Sequence, residues 1–347
     1  MLTPKERLNL ALKNKQVDRP PCICPGGMMN MIIEDLMDIS GYKWPEAHTN
    51  PEIMANLAIS MYKEGGFENF GVPFCMTIEA EAMGATVDLG NKTTEPRVIK
   101  YPIDSVVDWR KLKSINLNEG REKVVLDAIK IIKEKNLPVP IMANLTGPIS
   151  VASSLMEPMN FYKELVRKKE EAHKFISFVT DNLIQFGKAQ LLAGANVITI
   201  SDPSGTGEIL GPKLFKEFAI HYLNRIIDEL KDYTDGTIIH ICGRLKSIYK
   251  ELNDLHSDVI SFDSISSVTQ VRKNVNNKVV MGNVSTLSIQ NSTPNEVEKL
   301  ANTCMDLGVN ILSPACGIGI KSHIENVRAM VNAAKKRKYV YFTRKCK

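Results

Sequence analysis

The chain has 347 residues, 44% of them hydrophobic and 24% charged, with a formal net charge of +5. That length and apolar share exclude a disordered chain and leave room for one large α/β barrel with insertions. The positive charge is scattered, without a basic stripe interleaved with aromatics, which excludes a dedicated nucleic-acid binder.

No apolar run is long enough to cross a bilayer, and MLTPKERLNLALKNK lacks the apolar core of a secretory signal, so a cytoplasmic protein with no membrane partner is expected. Seven cysteines make an odd number for a disulfide framework. In a reducing compartment such thiols are buried, catalytic or metal-bound.

In chain order, Thr3-Pro4-Lys5-Glu6 predicts a capped helix running to about Asn14. DRPPCICPGG, residues 18 to 27, reads as a first strand, with Cys22 and Cys24 flanking Ile23. Residues 28 to 64 are helical in pattern and rich in Met (Met28, Met29, Met31), and ENFGVPF, 68 to 74, is a second strand followed by Cys75 and Glu79. Residues 84 to 120 alternate strand-like and turn-like pieces, an excursion from the main fold rather than a second domain. A helix over 120 to 135 precedes a third strand, VPIMANLTGP (139 to 148), and a long charged helix then runs to Leu192. Five further short β-branched runs follow: 196–203, 237–242, 258–264, 278–284 and 310–316.

Eight near-continuous apolar strands alternating with helices predict a single (β/α)8 TIM barrel over residues 1–347, with an N-terminal helical extension and a small β excursion. In such barrels the chemistry gathers where the strands end. Polar or soft residues at those ends are Cys24, Cys75, Thr146, Asp202, His240, Cys242, Asp263, Asn283 and Cys316.

His240 and Cys242 are two apart in TIIHIC, and strand side chains alternate faces, so imidazole and thiol point the same way. Cys316, in a glycine-rich turn, offers a third soft ligand. One His and two Cys match a zinc site with its fourth corner open, because structural zinc sites close with four protein ligands. Taken singly, a buried His or Cys is more often core packing.

Other candidates have simpler readings beside the functional one. Asp202 in SDPSGTGE and Asp263 are the catalytic candidates; Asp202 suits a hydrogen bond to substrate or a turn cap. Asp263 suits a displaceable fourth ligand or an acceptor for His240. Glu79 is a cofactor-binding candidate, although Glu79 and Glu81 also suit the positive end of a helix. Thr146 and Asn283 qualify only as cofactor-binding candidates by their strand-end positions. His48, His173, His221 and His256 read as surface groups, His323 as a pocket candidate, and Cys304 and Cys346 as incidental. The basic C-terminus reads as a solvated end.

FGVPFCMTIEAEAMGA (70–85), ISDPSGTGEILGPKLFKEF (200–218), IIHICG, VMGNVST (280–286) and LSPACGIG (312–319) closely resemble the zinc methyltransferases of the uroporphyrinogen decarboxylase superfamily, above all its methylcobamide:coenzyme M branch. The resemblance covers nearly the whole chain. It implies the barrel fold, Zn2+ on His240, Cys242 and Cys316, a methylated corrinoid (methylcobamide) on a partner corrinoid protein as methyl donor, and a thiol such as coenzyme M as acceptor. The decarboxylase branch carries an arginine-rich motif after its first strand, where this chain reads CPGGMMN, so decarboxylation is disfavoured. Other expectations left open are a different donor or acceptor (a pterin such as tetrahydrofolate, homocysteine, a methoxylated or methylated compound) and a non-enzymatic tetrapyrrole-binding module.

Overall fold

In the computed structural model of the protein, residues 1–26 and 31–337 are described; Met28, Met29, Asn30 of the CPGGMMN stretch and Cys346 lie outside them. The strands are β1 (Phe70–Val72), β2 (Thr86–Asp88), β3 (Arg97–Lys100), β4 (Ile141–Thr146), β5 (Val197–Ser201), β6 (Gly236–Ile241), β7 (Val259–Phe262), β8 (Val279–Val284) and β9 (Ile311–Pro314). Seven of them form one parallel sheet in the order β1-β4-β5-β6-β7-β8-β9. β2 and β3 pair antiparallel as the expected excursion.

The expected first strand is reduced to a single bridge, Cys22 to Leu312. Prolines at 20, 21 and 25 remove the backbone donors a longer ladder needs. The segment still closes the barrel. Ile23 N donates to Leu312 O (3.1 Å) on one side and Glu68 N donates to Cys22 O (2.9 Å) on the other. The Asn69 side chain replaces a missing rung, accepting from Cys24 N at 3.0 Å.

The N-terminal end of the barrel is plugged. α1 (Pro4–Leu12) starts at the Thr3–Glu6 capping box and ends two residues earlier than expected. Its Leu8 and Leu12 are buried against the lowest inward side chains of the barrel, among them Ile23, Val197, Ile238 and Ile311. Gly236 lets Leu12 pack closely there, since a Cβ would lie 2.8 Å from Leu12 Cδ1.

Several segments read as one helix are broken. Residues 28 to 64 give α2 (Glu34–Ser40), a short 3-10 turn at Glu46–His48, and α3 (Pro51–Lys63). Gly41 (φ 78) ends α2, and Asn50 caps α3 with Pro51 in its first turn. α4 (Ile78–Ala82) and α5 (Gly120–Glu134) follow. The stretch from 148 to 192 is three helices, α6 (Pro148–Leu155), α7 (Pro158–Arg167) and α8 (Lys169–Ala193): Pro158 cannot continue α6, and Lys168 leaves the helical region (φ -130, ψ 49) between α7 and α8. No helix among the described residues is long and apolar enough to cross a membrane.

The faces of the central strands follow from their contacts. A Cβ on Gly187 of α8 would touch Leu145 (2.9 Å) and Ile198 (3.1 Å), so these side chains point outward. Asn144 and Thr199, one position away, therefore face the interior.

Candidate metal centre

His240 is fully buried near the end of β6, and Cys242 follows on the same face. His240 Nε2 lies 3.1 Å from Cys242 Sγ, and Cys242 Sγ lies 4.0 Å from Cys316 Sγ. The ligand atoms of the three residues all fall within 4.8 Å of one another, and they are the only such group of His, Cys, Asp or Glu among the described residues. Two zinc–sulfur bonds of about 2.3 Å at a tetrahedral angle put the sulfurs roughly 3.8 Å apart. The donor set therefore fits a zinc ion, in both chemistry and spacing.

The other ring nitrogen of His240 is tied down. β6 and β7 pair with His240 opposite Ser261, and Nδ1 lies 3.0 Å from Ser261 Oγ. With Nδ1–H donating to this hydroxyl, the Nε2 lone pair faces the thiols, which is the tautomer a metal needs. Sequence reasoning offered Asp263 for this task. Asp263 stands two residues farther on, beyond the strand end, and its carboxylate accepts instead from Gly243 N (3.4 Å), Ile265 N (3.1 Å) and Ser264 Oγ (3.2 Å). Replacing Ser261 by alanine is expected to weaken metal binding about 10- to 100-fold, measured by chelator competition; unchanged affinity would remove Ser261 from the site.

Electrostatics within the cluster point the same way. The Cys242 thiol is pushed up, first by its hydrogen bond with Cys316, then by burial. Cys316 is pushed down, because the Cys242 S–H donates to it and the His240 imidazole stands nearby. Without a cation the two thiols do not both ionise, since two thiolates 4.0 Å apart repel. A dication removes that repulsion.

The remaining candidates are engaged elsewhere. Asp202 is fully buried and caps α6 from the neighbouring strand: its carboxylate accepts from Ile149 N (3.2 Å), Ser150 N (2.8 Å) and Ser150 Oγ (2.6 Å). Thr146 donates from N (2.8 Å) and Oγ1 (2.9 Å) to Glu79, whose carboxyl is buried and pushed up to about 7, chiefly by desolvation. Asn283 donates to Asp263 O (3.1 Å) and Ser266 O (2.9 Å), holding the loop after β7.

Cys304, read as incidental, is buried with its Sγ 3.7 Å from Asn283 Oδ1. Cys22 and Cys24 are fully buried outside the cluster, and Cys75 Sγ accepts from Arg121 Nη1 at 3.2 Å. His48, read as a surface group, is fully buried beside Trp44, because the turn at 46–48 folds inward under α3. His323 is exposed and pairs with Asp35.

Sequence reasoning passed over Ser261, Ser201, Arg121 and Glu122. A serine inside the apolar run DVISFDS was a usable signal for Ser261. Arg121 and Glu122 gave none, since they open an ordinary-looking helix.

The family model for uroporphyrinogen decarboxylase (URO-D) matches residues 3–337. The chain is 35% identical to a methylcobamide:CoM methyltransferase MtbA of Methanosarcina acetivorans, over 97% of this chain and 99% of that protein. It is 33% identical to a methylcobamide:CoM methyltransferase MtaA of Methanosarcina barkeri, over 95% and 97%. A solved methyltransferase from Methanosarcina mazei superposes with a TM-score of 0.90 at 32% identity, covering 97% of this chain and 99% of that one.

Proposed function

Since this chain belongs to the uroporphyrinogen decarboxylase family, we propose that it is a zinc-dependent methyltransferase carrying a methyl group from a methylated corrinoid to a thiol such as coenzyme M. The donor corrinoid arrives on a separate corrinoid protein, and the enzyme is cytoplasmic. The observation that carries this reading is the convergence of His240, Cys242 and Cys316 without a fourth donor in their cluster among the described residues.

Bound zinc supplies one thing here, stabilisation of the acceptor's sulfur as a thiolate at neutral pH. The chain does the rest. Cys242 and Cys316 contribute two negative charges that offset the dication, which leaves the acceptor sulfur electron-rich. Ser261 holds the imidazole of His240 in register. Asp263 stands outside the donor cluster, its carboxylate held by Gly243 N, Ile265 N and Ser264 Oγ, and its negative charge helps to push the Cys242 thiol up. The barrel orients the sulfur toward the mouth, where the methyl donor is met in line.

Zinc content of the purified protein, measured beside thiol-dependent demethylation of methylcobalamin by absorbance, tests this. About one zinc per chain with turnover on coenzyme M is expected. Zinc without turnover would redirect the search to another donor or acceptor. Zinc-free protein that still turns over would overturn the reading.

A further inference from the structure

An acceptor thiol that binds as a thiolate leaves a proton in a buried site, and that proton needs a way out. Thr146, Ser201, His240 and Ser261 are register partners on the consecutive strands β4 to β7, so their side chains share the inner face at one level. Ser201 Oγ, beside His240, is buried and has no hydrogen-bond partner. Adjacent strands are about 4.8 Å apart, so one water spans the gap from Ser201 to Thr146. Thr146 Oγ1 already donates to Glu79 Oε2 at 2.9 Å.

Glu122, 3% exposed at the start of α5, is near enough to feel the charge of Glu79, and its Oε1 lacks any partner. Glu122 lines a cavity of about 550 Å3 together with the solvent-exposed Lys113, Asn116 and Glu119. Burial lifts both Glu79 and Glu122 to about 7, so each exchanges protons at neutral pH.

The charged neighbours do not compete. The Arg121 guanidinium is committed to Cys75 Sγ, Thr77 Oγ1 and Glu81. His48 is held down to about 3 by burial and then by Arg121, so it stays neutral.

We propose that the proton given up by the acceptor thiol leaves the barrel through Ser201, Thr146 and Glu79 and reaches solvent past Glu122. This rests on the thiol-activation reading above. The S–H bond breaks with its electron pair left on sulfur, and an O–H bond forms on the Glu79 carboxylate. The proton then passes to Glu122 and to water, and no centre is oxidised or reduced.

The test is thiol-triggered proton release, followed by stopped flow with a pH indicator, on zinc-loaded wild type and on Glu79→Gln, Ser201→Ala and Glu122→Gln. Wild type is expected to release about one proton per site, at a rate that rises with pH around a midpoint near 7. Glu79→Gln and Ser201→Ala are expected to keep zinc and final stoichiometry but slow the release at least about 10-fold. In Glu79→Gln the midpoint near 7 disappears. Zinc-loaded Glu79→Gln and Ser201→Ala that release the proton at the wild-type rate would overturn the route and leave thiol activation standing. No thiol-linked proton release from zinc-loaded wild type would overturn both.

Discussion

Replacing Cys316 by serine, or His240 by alanine, is expected to drop bound zinc from about one per chain to near zero and to reduce thiol-dependent methyl transfer on the order of 10^3-fold. Part of that loss is arithmetic. A free thiol with a pKa of about 8.5 is only roughly 3% thiolate at pH 7, so losing ionisation alone accounts for about 30-fold. The rest comes from losing a fixed sulfur position. Cys316→Ser is the cleaner variant: Cys316 lies in a turn after β9, partly buried rather than in the core, and serine is nearly isosteric. His240→Ala also empties a fully buried site, so its melting temperature must be measured beside its metal content. A Cys316→Ser protein that keeps both zinc and rate would remove that cysteine from the centre.

Asp202→Ala is expected to act on the fold instead. Three donors, Ile149 N, Ser150 N and Ser150 Oγ, converge on its buried carboxylate, and truncation leaves them without partners at the start of α6. Each abandoned buried donor costs about 1 to 3 kcal/mol, so a total loss of roughly 3 to 5 kcal/mol is expected after local relaxation. Chemical denaturation measures it. Zinc stoichiometry should stay near one, because the hydrogen bond between Asp202 and the metal residues runs through the backbone, Asp202 N donating to His240 O at 3.2 Å, and the carboxylate reaches Cys242 only through its charge. A variant as stable as wild type but inactive would return Asp202 to the catalytic role its strand-end position suggested.

The contrast between these two residues marks what the sequence could disclose. The strands were legible because parallel strands buried on both faces are continuous β-branched runs, and TIIHIC carries its own geometry in an i, i+2 spacing. Cys316 could be added because it ends such a run in a turn. Asp202, Thr146 and Asn283 share that strand-end position, yet their side chains meet Ser150, Glu79 and the loop after β7. These partners come from separate elements, and no local pattern encodes such pairings. His48 misled for the same reason: a short turn between helices carries no sign of which way it faces. The closing bridge at Cys22 was legible as a strand but not in its brevity, which the flanking prolines dictate.

The α1 plug has a kinetic consequence. A barrel sealed at its lower end is a well with its opening above, so whatever binds deepest enters first and leaves last. If the acceptor lies on the metal and the bulky donor sits over the opening, the two cannot load at random. Turnover then follows a compulsory order in which the small molecule precedes the large one, and the methylated product is retained until the large one departs.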